Sequence, residues 1–157
     1  MRVGITGHSN LAAVSAPIVA DAISAALATL DGPIIGISCL ARGADQIFAR
    51  VIVDSGAALH VVLPAADYRE KKVKPENRDI FESLFAHAEH VDVMPFETSG
   101  RAAYEAANDK ILATVDALFA VWDGAPPDGK GGTADTVRIA RERGVPVVVI
   151  WPAGAHR

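Results

Sequence analysis

Cysteine is almost missing from this 157-residue chain: Cys39 stands alone, which excludes an internal disulfide and any zinc site built on paired thiolates. Five histidines (His8, His60, His87, His90, His156) show no metal-ligand spacing, so neither a metal nor a resident cofactor is expected. Nowhere do about 18 apolar residues run together, and no membrane span is expected. The opening Met-Arg-Val-Gly-Ile-Thr-Gly reads as a first strand instead of a signal peptide, which points to the cytoplasm. Basic residues are also in deficit. Fifteen Lys and Arg against 19 Asp and Glu leave a formal charge of −4, which argues against a grip on duplex DNA; no nucleic-acid partner is expected. Internal repeats and low-complexity linkers are absent, so residues 1–157 read as one domain.

What is present is apolar. Half the residues are hydrophobic and 22% charged, which excludes disorder and hints at a homodimer interface to cover the excess. Short Val- and Ile-rich runs mark strands at Arg2–Thr6, Ile34–Ser38, Ala58–Leu63, His90–Met94, Ala117–Trp122 and Val145–Trp151. Helical spacing falls between them. Ser15 reads as the cap of a helix to about Leu30, with Ile18, Ala22, Ala25 and Ala26 inward. Further helices run over about Arg42–Ser55, from Pro75, over about Arg101–Val115, and from Gly132 or Thr133 to just before Gly144. Such alternation predicts a doubly wound α/β fold, a three-layer sandwich around a mostly parallel sheet.

In that architecture ligands bind at the carboxyl ends of the strands, which directs attention to five loops. The first, Thr6-Gly7-His8-Ser9-Asn10, combines a close-approach glycine with hydrogen-bonding side chains, or is an ordinary strand-to-helix loop. The second places Arg42 and Gly43 at a helix start; Asp45 there complements the dipole, and Cys39 packs as a small apolar group. In the third, Pro64–Lys74, which has the length of a flap, Tyr68 offers a ring to a base with Arg69 or a lysine for phosphate, although Lys71, Lys72 and Lys74 read first as solvated surface. Tyr104 and Asn108 share one face of the fourth helix, beside a stripe of Glu105 and Asp109.

The fifth loop is the most informative. Asp123-Gly124-Ala-Pro-Pro-Asp-Gly-Lys130-Gly131-Gly132-Thr133-Ala-Asp135 follows an apolar strand and opens a helix, where bare amides and glycines suit a phosphate. It is neither a Walker A sequence nor a dinucleotide fingerprint, because Lys130 precedes the glycine pair. The ligand-binding candidates are therefore Gly7, His8, Ser9, Arg42, Gly43, Tyr68, Tyr104, Asp123, Gly124, Lys130, Gly131, Gly132 and Thr133. Asp123, Asp135 and Glu105 are the carboxylates available for acid–base or nucleophilic work, with Asp135 equally suited to partner the helix dipole.

Four stretches carry a family resemblance: Gly4-Ile-Thr-Gly7-His8, Ala41-Arg-Gly43-Ala-Asp45, Val61-Val-Leu-Pro64, and Asp116 to Asp135. On these the chain resembles the SLOG superfamily, the Rossmann-like group that includes the lonely guy phosphoribohydrolases, molybdenum-cofactor carrier proteins and the DNA-processing protein A family. The resemblance implies a nucleotide-derived small molecule with its phosphate at Gly131–Thr133. It is bound by a sensor, cleaved at the N-glycosidic bond as lonely guy enzymes do, or carried as molybdenum cofactor. Lonely guy enzymes use Pro-Gly-Gly-x-Gly-Thr-x-x-Glu. Here no proline precedes the glycine pair, Thr136 occupies the glutamate position, and Asp135 lies one residue early, rotated by about 100° on a helix.

Overall fold

The computed structural model describes residues 1–127 and 132–157. Among them six strands form one parallel sheet: β1 (Arg2–Gly7), β2 (Ile35–Ser38), β3 (Ala58–Leu63), β4 (Ala88–Val93), β5 (Ala117–Val121) and β6 (Val147–Ile150), in the order β4-β3-β2-β1-β5-β6. Helices α1 (Ser15–Ala28), α2 (Ala44–Asp54) and α3 (Arg78–Phe85) cover one face. Helices α4 (Arg101–Thr114) and α5 (Thr133–Glu142) cover the other. The doubly wound, Rossmann-like sandwich expected from the alternating pattern is the observed architecture. Among the described residues no helix is long and apolar enough to cross a membrane.

Burial explains the pattern. All five residues of β5 are buried, because the strand lies between β1 and β6 with helices on both faces. The larger core layer packs Val19 and Ile23 of α1, Phe48 and Ile52 of α2, and Phe81 and Leu84 of α3 onto Val3, Leu59 and Val61. Removing each such side chain from water contributes roughly 1.5–3 kcal/mol. The edges are different: Val91 and Val93 of β4 and Val148 and Val149 of β6 stay exposed.

Several local expectations are corrected. Val14, not Ser15, takes the cap position of α1, and Ser15 is its first helical residue. The inner stripe of α1 is Ser15, Val19 and Ile23, one turn apart, while Ala25 is exposed. Pro75 opens only a short 3₁₀ turn (Pro75–Asn77), with α3 beginning at Arg78. Within the supposed flap a π-helical turn forms at Tyr68–Lys72, which apolar periodicity does not register.

Glycine 7 closes β1 against its neighbours. A Cβ there would collide with the Ala44 side chain at the start of α2 and lie 2.9 Å from Val121 Cβ and carbonyl oxygen. Both obstacles belong to regular elements and have little room to move. Gly7→Ala is therefore expected to cost about 1–3 kcal/mol by overpacking. Urea denaturation measures it, and a variant as stable as the parent would show that β1 and α2 slide apart freely.

Candidate functional site

The strand order reverses between β1 and β5, and a crevice opens beyond their carboxyl ends. The backbone N–H of His8 donates to the Val121 carbonyl at 3.1 Å, carrying the pairing one residue past β1. Its ring meets Asp123 on the other side: Nε2 lies 3.1 Å from the Asp123 amide and 3.2 Å from Oδ1. A neutral imidazole accepts from the amide, whereas a protonated one donates to the carboxylate. Trp151 touches the same ring edge-on at 5.6 Å. The Ala125 N–H, 2.9 Å from Oδ1, together with His8 and Arg157, holds the Asp123 carboxyl below the usual carboxylate range.

Arg157 arrives from the far end of the chain. Ser15 Oγ both donates to the His156 carbonyl and accepts from the His156 N–H, each at 2.8 Å. That clasp places the Arg157 guanidinium 3.1 Å from Asn10 Oδ1 and 3.5 Å from Asp123 Oδ2.

A buried carboxylate shapes the second wall. Asp45 Oδ2 accepts from Ser38 Oγ at 3.2 Å, the Cys39 N–H at 3.2 Å and the Ala41 N–H at 3.4 Å. Ser38 Oγ accepts in turn from the Leu40 N–H at 2.9 Å, and Gln46 Nε2 donates to the Leu40 carbonyl at 3.1 Å. These bonds hold Leu40 at a φ of 55°, unusual for a branched side chain. Burial raises Asp45 to about 6 despite the three donors. Burial, with Asp45 adding to it, pushes the Cys39 thiol up, which keeps it protonated and unreactive.

The first two loops are stitched together. The Ala44 N–H donates to the His8 carbonyl at 3.2 Å, and a Cβ on Gly43 would stand 2.5 Å from that oxygen. Gly43 has a φ of 86°. Gly7 and Gly43 therefore allow two loops to touch, and the space their missing side chains leave is filled by protein. Gly7 still borders the cleft through its backbone, whereas Gly43 is outside its lining.

On the third side the supposed flap is tied down. The N–H groups of Ala66 and Asp67 donate to the Phe96 and Glu97 carbonyls, and Asp67 Oδ1 accepts from Ser99 N–H and Oγ at 2.7 Å each. The Ser99 hydroxyl accordingly holds Asp67 low. Tyr68 is buried, its ring between Phe81 at 6.3 Å and Tyr104 at 6.4 Å, so the stacking ring sought in this loop is already enclosed. Tyr104 is 38% exposed and offers the open ring instead.

The fourth wall is the start of α5. Gly132, Thr133, Ala134 and Thr136 line the cleft, with nothing within 4 Å of a Cβ built on Gly132. Gly124 has a φ of 80°, and Trp122 Nε1 donates to the Ala125 carbonyl at 3.0 Å. Lys130 and Gly131 lie outside the described residues. The cleft so enclosed measures about 550 Å³ and includes His8, Ser9, Tyr104 and Asn108. Arg42 is not in it; it faces a smaller lobe beside it. Trp122 and Arg157 were not among the sequence candidates, and Asp45, read there as a partner of the helix dipole, instead gathers the loop's amides. Only the strand order, which sets β6 beside β5, puts Arg157 within reach.

The three carboxylates put forward for catalysis do not converge. Glu105 is on an exposed stripe with Arg101 3.2 Å away, and Asp135 accepts from Arg138 at 2.6 Å. Both border a separate small hollow with Asp109, which shares Asn108 and Thr136 with the main cleft but leaves these two carboxylates outside its lining. Asp123 alone is beside the cleft, already engaged by Ala125, His8 and Arg157. Among the described residues no group of three or more His, Cys, Asp or Glu is arranged to hold a metal ion.

No protein-family model matches this chain, and no curated protein sequence is significantly similar to it. Solved structures do match. DNA processing protein A from Streptococcus pneumoniae superposes on 98% of the chain with a TM-score of 0.72 at 18% identity. DNA processing protein A from Helicobacter pylori, whose structure was described for its single-stranded DNA binding mode, covers 98% with a TM-score of 0.70 at 15% identity. The protein TM1055 covers 93% with a TM-score of 0.58 at 15% identity. This chain spans 51%, 67% and 71% of their respective lengths. At such identities the likeness is one of fold.

These neighbours correct five expectations. The resemblance to the SLOG superfamily, centred on lonely guy enzymes and molybdenum-cofactor carriers, gives way to a likeness to DNA processing protein A. With it go the nucleotide sensor and the cofactor carrier. The N-glycosidic enzyme falls on the same finding and on its scattered, paired carboxylates. The exclusion of nucleic acid also falls: it rested on whole-chain charge, which measures suitability for a duplex and says little about one groove.

Asp45 makes the stability of this region pH-dependent. Its folded value, about 6, lies above the 3.8 of a free aspartate, so the native state binds this proton more readily than the unfolded chain. The group's contribution is complete below 3.8 and is lost as pH rises through about 6. Relative to Asp45→Asn, the parent is expected to lose up to about 3 kcal/mol over that interval. Urea denaturation at a series of pH values measures this; parallel profiles would place the Asp45 titration elsewhere.

Proposed function

We propose that this chain is a single-stranded DNA-binding domain that holds the strand in the cleft at the carboxyl edge of its sheet. What carries the reading is the superposition of 98% of the chain on a DNA processing protein A described for its single-stranded DNA binding mode. The chain spans only part of that protein, so the proposal concerns the shared fold and not the activity of the longer chain. A cytoplasmic location goes with it.

The chemistry of the cleft is consistent with such a ligand. A single strand is held by stacking on open rings and by cations along a groove, without a basic surface overall. Tyr104 presents an exposed ring, and Trp122 lines the same cleft half-buried. At the start of α5, Gly132 and Thr133 stand where first-turn amides face a phosphate. Arg157 supplies a guanidinium that a phosphate oxygen takes over from Asp123.

Fluorescence anisotropy with labelled oligothymidylate tests the reading. Binding is expected to weaken as salt rises and to be poorer for the same sequence as a duplex. Tyr104→Ala is expected to lower affinity by about 1–3 kcal/mol, the worth of the missing stack. Urea denaturation of the variant separates this loss from that of the edge-on contact with Tyr68. Equal affinity for the duplex, or indifference to Tyr104, would overturn the proposal.

A further inference from the structure

A second lobe of about 420 Å³ opens off the main cleft, between the loop after β2 and residues 68–77. Arg42 enters from one side, Lys72 and Lys74 from the other. Glu76 is the one carboxylate among its described lining residues, so three cations face one anion. Sequence alone reads these lysines as solvated surface; the fold turns them toward a cavity.

The segment that presents them is anchored. Tyr68 and Val73, at the two ends of the π-helical turn, are buried. Arg78 donates to the Val73 carbonyl at 3.1 Å and to the Arg69 carbonyl at 3.4 Å, and Arg69 is itself paired with Glu82. The backbone that carries Lys72 and Lys74 is thus held, and both residues stay exposed along the lobe. Such an arrangement costs little to order around an anion.

The lobe is continuous with the main cleft. Ser9, Asn10, Ala41, Tyr68 and Tyr104 line both. Because Tyr68 is enclosed, Tyr104 is the open ring at the junction. A chain ligand that passes from one cavity to the other crosses that ring, whereas a lone nucleotide occupies one side.

We propose that this lobe takes the phosphodiester of the nucleotide next to the one in the main cleft, between Arg42 on one wall and Lys72 and Lys74 on the other. The assignment rests on the single-stranded DNA reading and gives the strand a course: it bends over Tyr104. It also makes affinity depend on oligonucleotide length.

The test compares thymidine monophosphate with a thymidine dodecanucleotide on the parent and on the K72Q/K74Q variant, across a series of salt concentrations. In the parent the longer ligand binds more tightly. In the variant the mononucleotide affinity should be unchanged, while the dodecanucleotide weakens on the order of tenfold and its salt slope drops by about 0.7 for each phosphate left unneutralised. Thermal melting of the variant checks that it is folded. A parent that binds both lengths, with a variant that keeps the same length preference and slope, sinks the lobe assignment alone. So does a variant that weakens equally toward both ligands, since the lysines then serve the main cleft. A parent that binds neither overturns the DNA reading, and the lobe goes with it.

Discussion

Everything at the working edge depends on one main-chain contact, the His8 carbonyl against the start of α2. The oxygen accepts from the Ala44 amide at 3.2 Å and closes on the bare α-carbon of Gly43. Two successive loops are thereby fixed to each other. With β1 registered against β5 from Val3 to Gly7, this determines where the His8 ring stands relative to Asp123. Neither residue is held by the sheet alone. Gly7 allows the approach and Gly43 supplies the backbone turn, so both are explained without a ligand.

Around that contact the cleft is built from polar groups satisfied by protein. Asp45 gathers three donors beneath the second loop, Asp67 ties the third loop to the fourth, and Asp123 joins the crevice to Arg157. Each carboxylate positions backbone. This is why the candidates for acid–base chemistry lead nowhere: the acidic groups near the cleft already have work. What the cleft leaves available is an aromatic face, helix-start amides and cations, a set suited to holding a phosphodiester chain.

Much of the fold was legible in the sequence because it rests on local pattern. The apolar runs at Ala58–Leu63 and Ala117–Val121 fall where strands form, and Gly56, with a φ of 78°, follows the end of α2. Helix faces were less legible. Ser15 has the chemistry of a cap yet is used as a clasp for His156, 141 residues away, and no local rule carries that information. Tyr68 illustrates the same limit, since only the packing of Phe81 and Tyr104 reveals that its ring is enclosed. The five loops were correctly placed at one edge, because strand direction follows from alternation. Partner chemistry was misjudged because net charge is a sum over the surface and the lobe of Arg42, Lys72 and Lys74 is a local departure from it.

The clasp between Ser15 and His156 also makes one flank of the cleft depend on contacts between distant parts of the chain. Residues 1–127 supply most of the cleft, including both tyrosines and the loops after the first four strands. Arg157 reaches Asn10 because β6 pairs with β5 and the residues after it run past the start of α1. Loosening the Ser15 clasp or the pairing of β6 therefore frees the guanidinium from Asn10 without altering either residue.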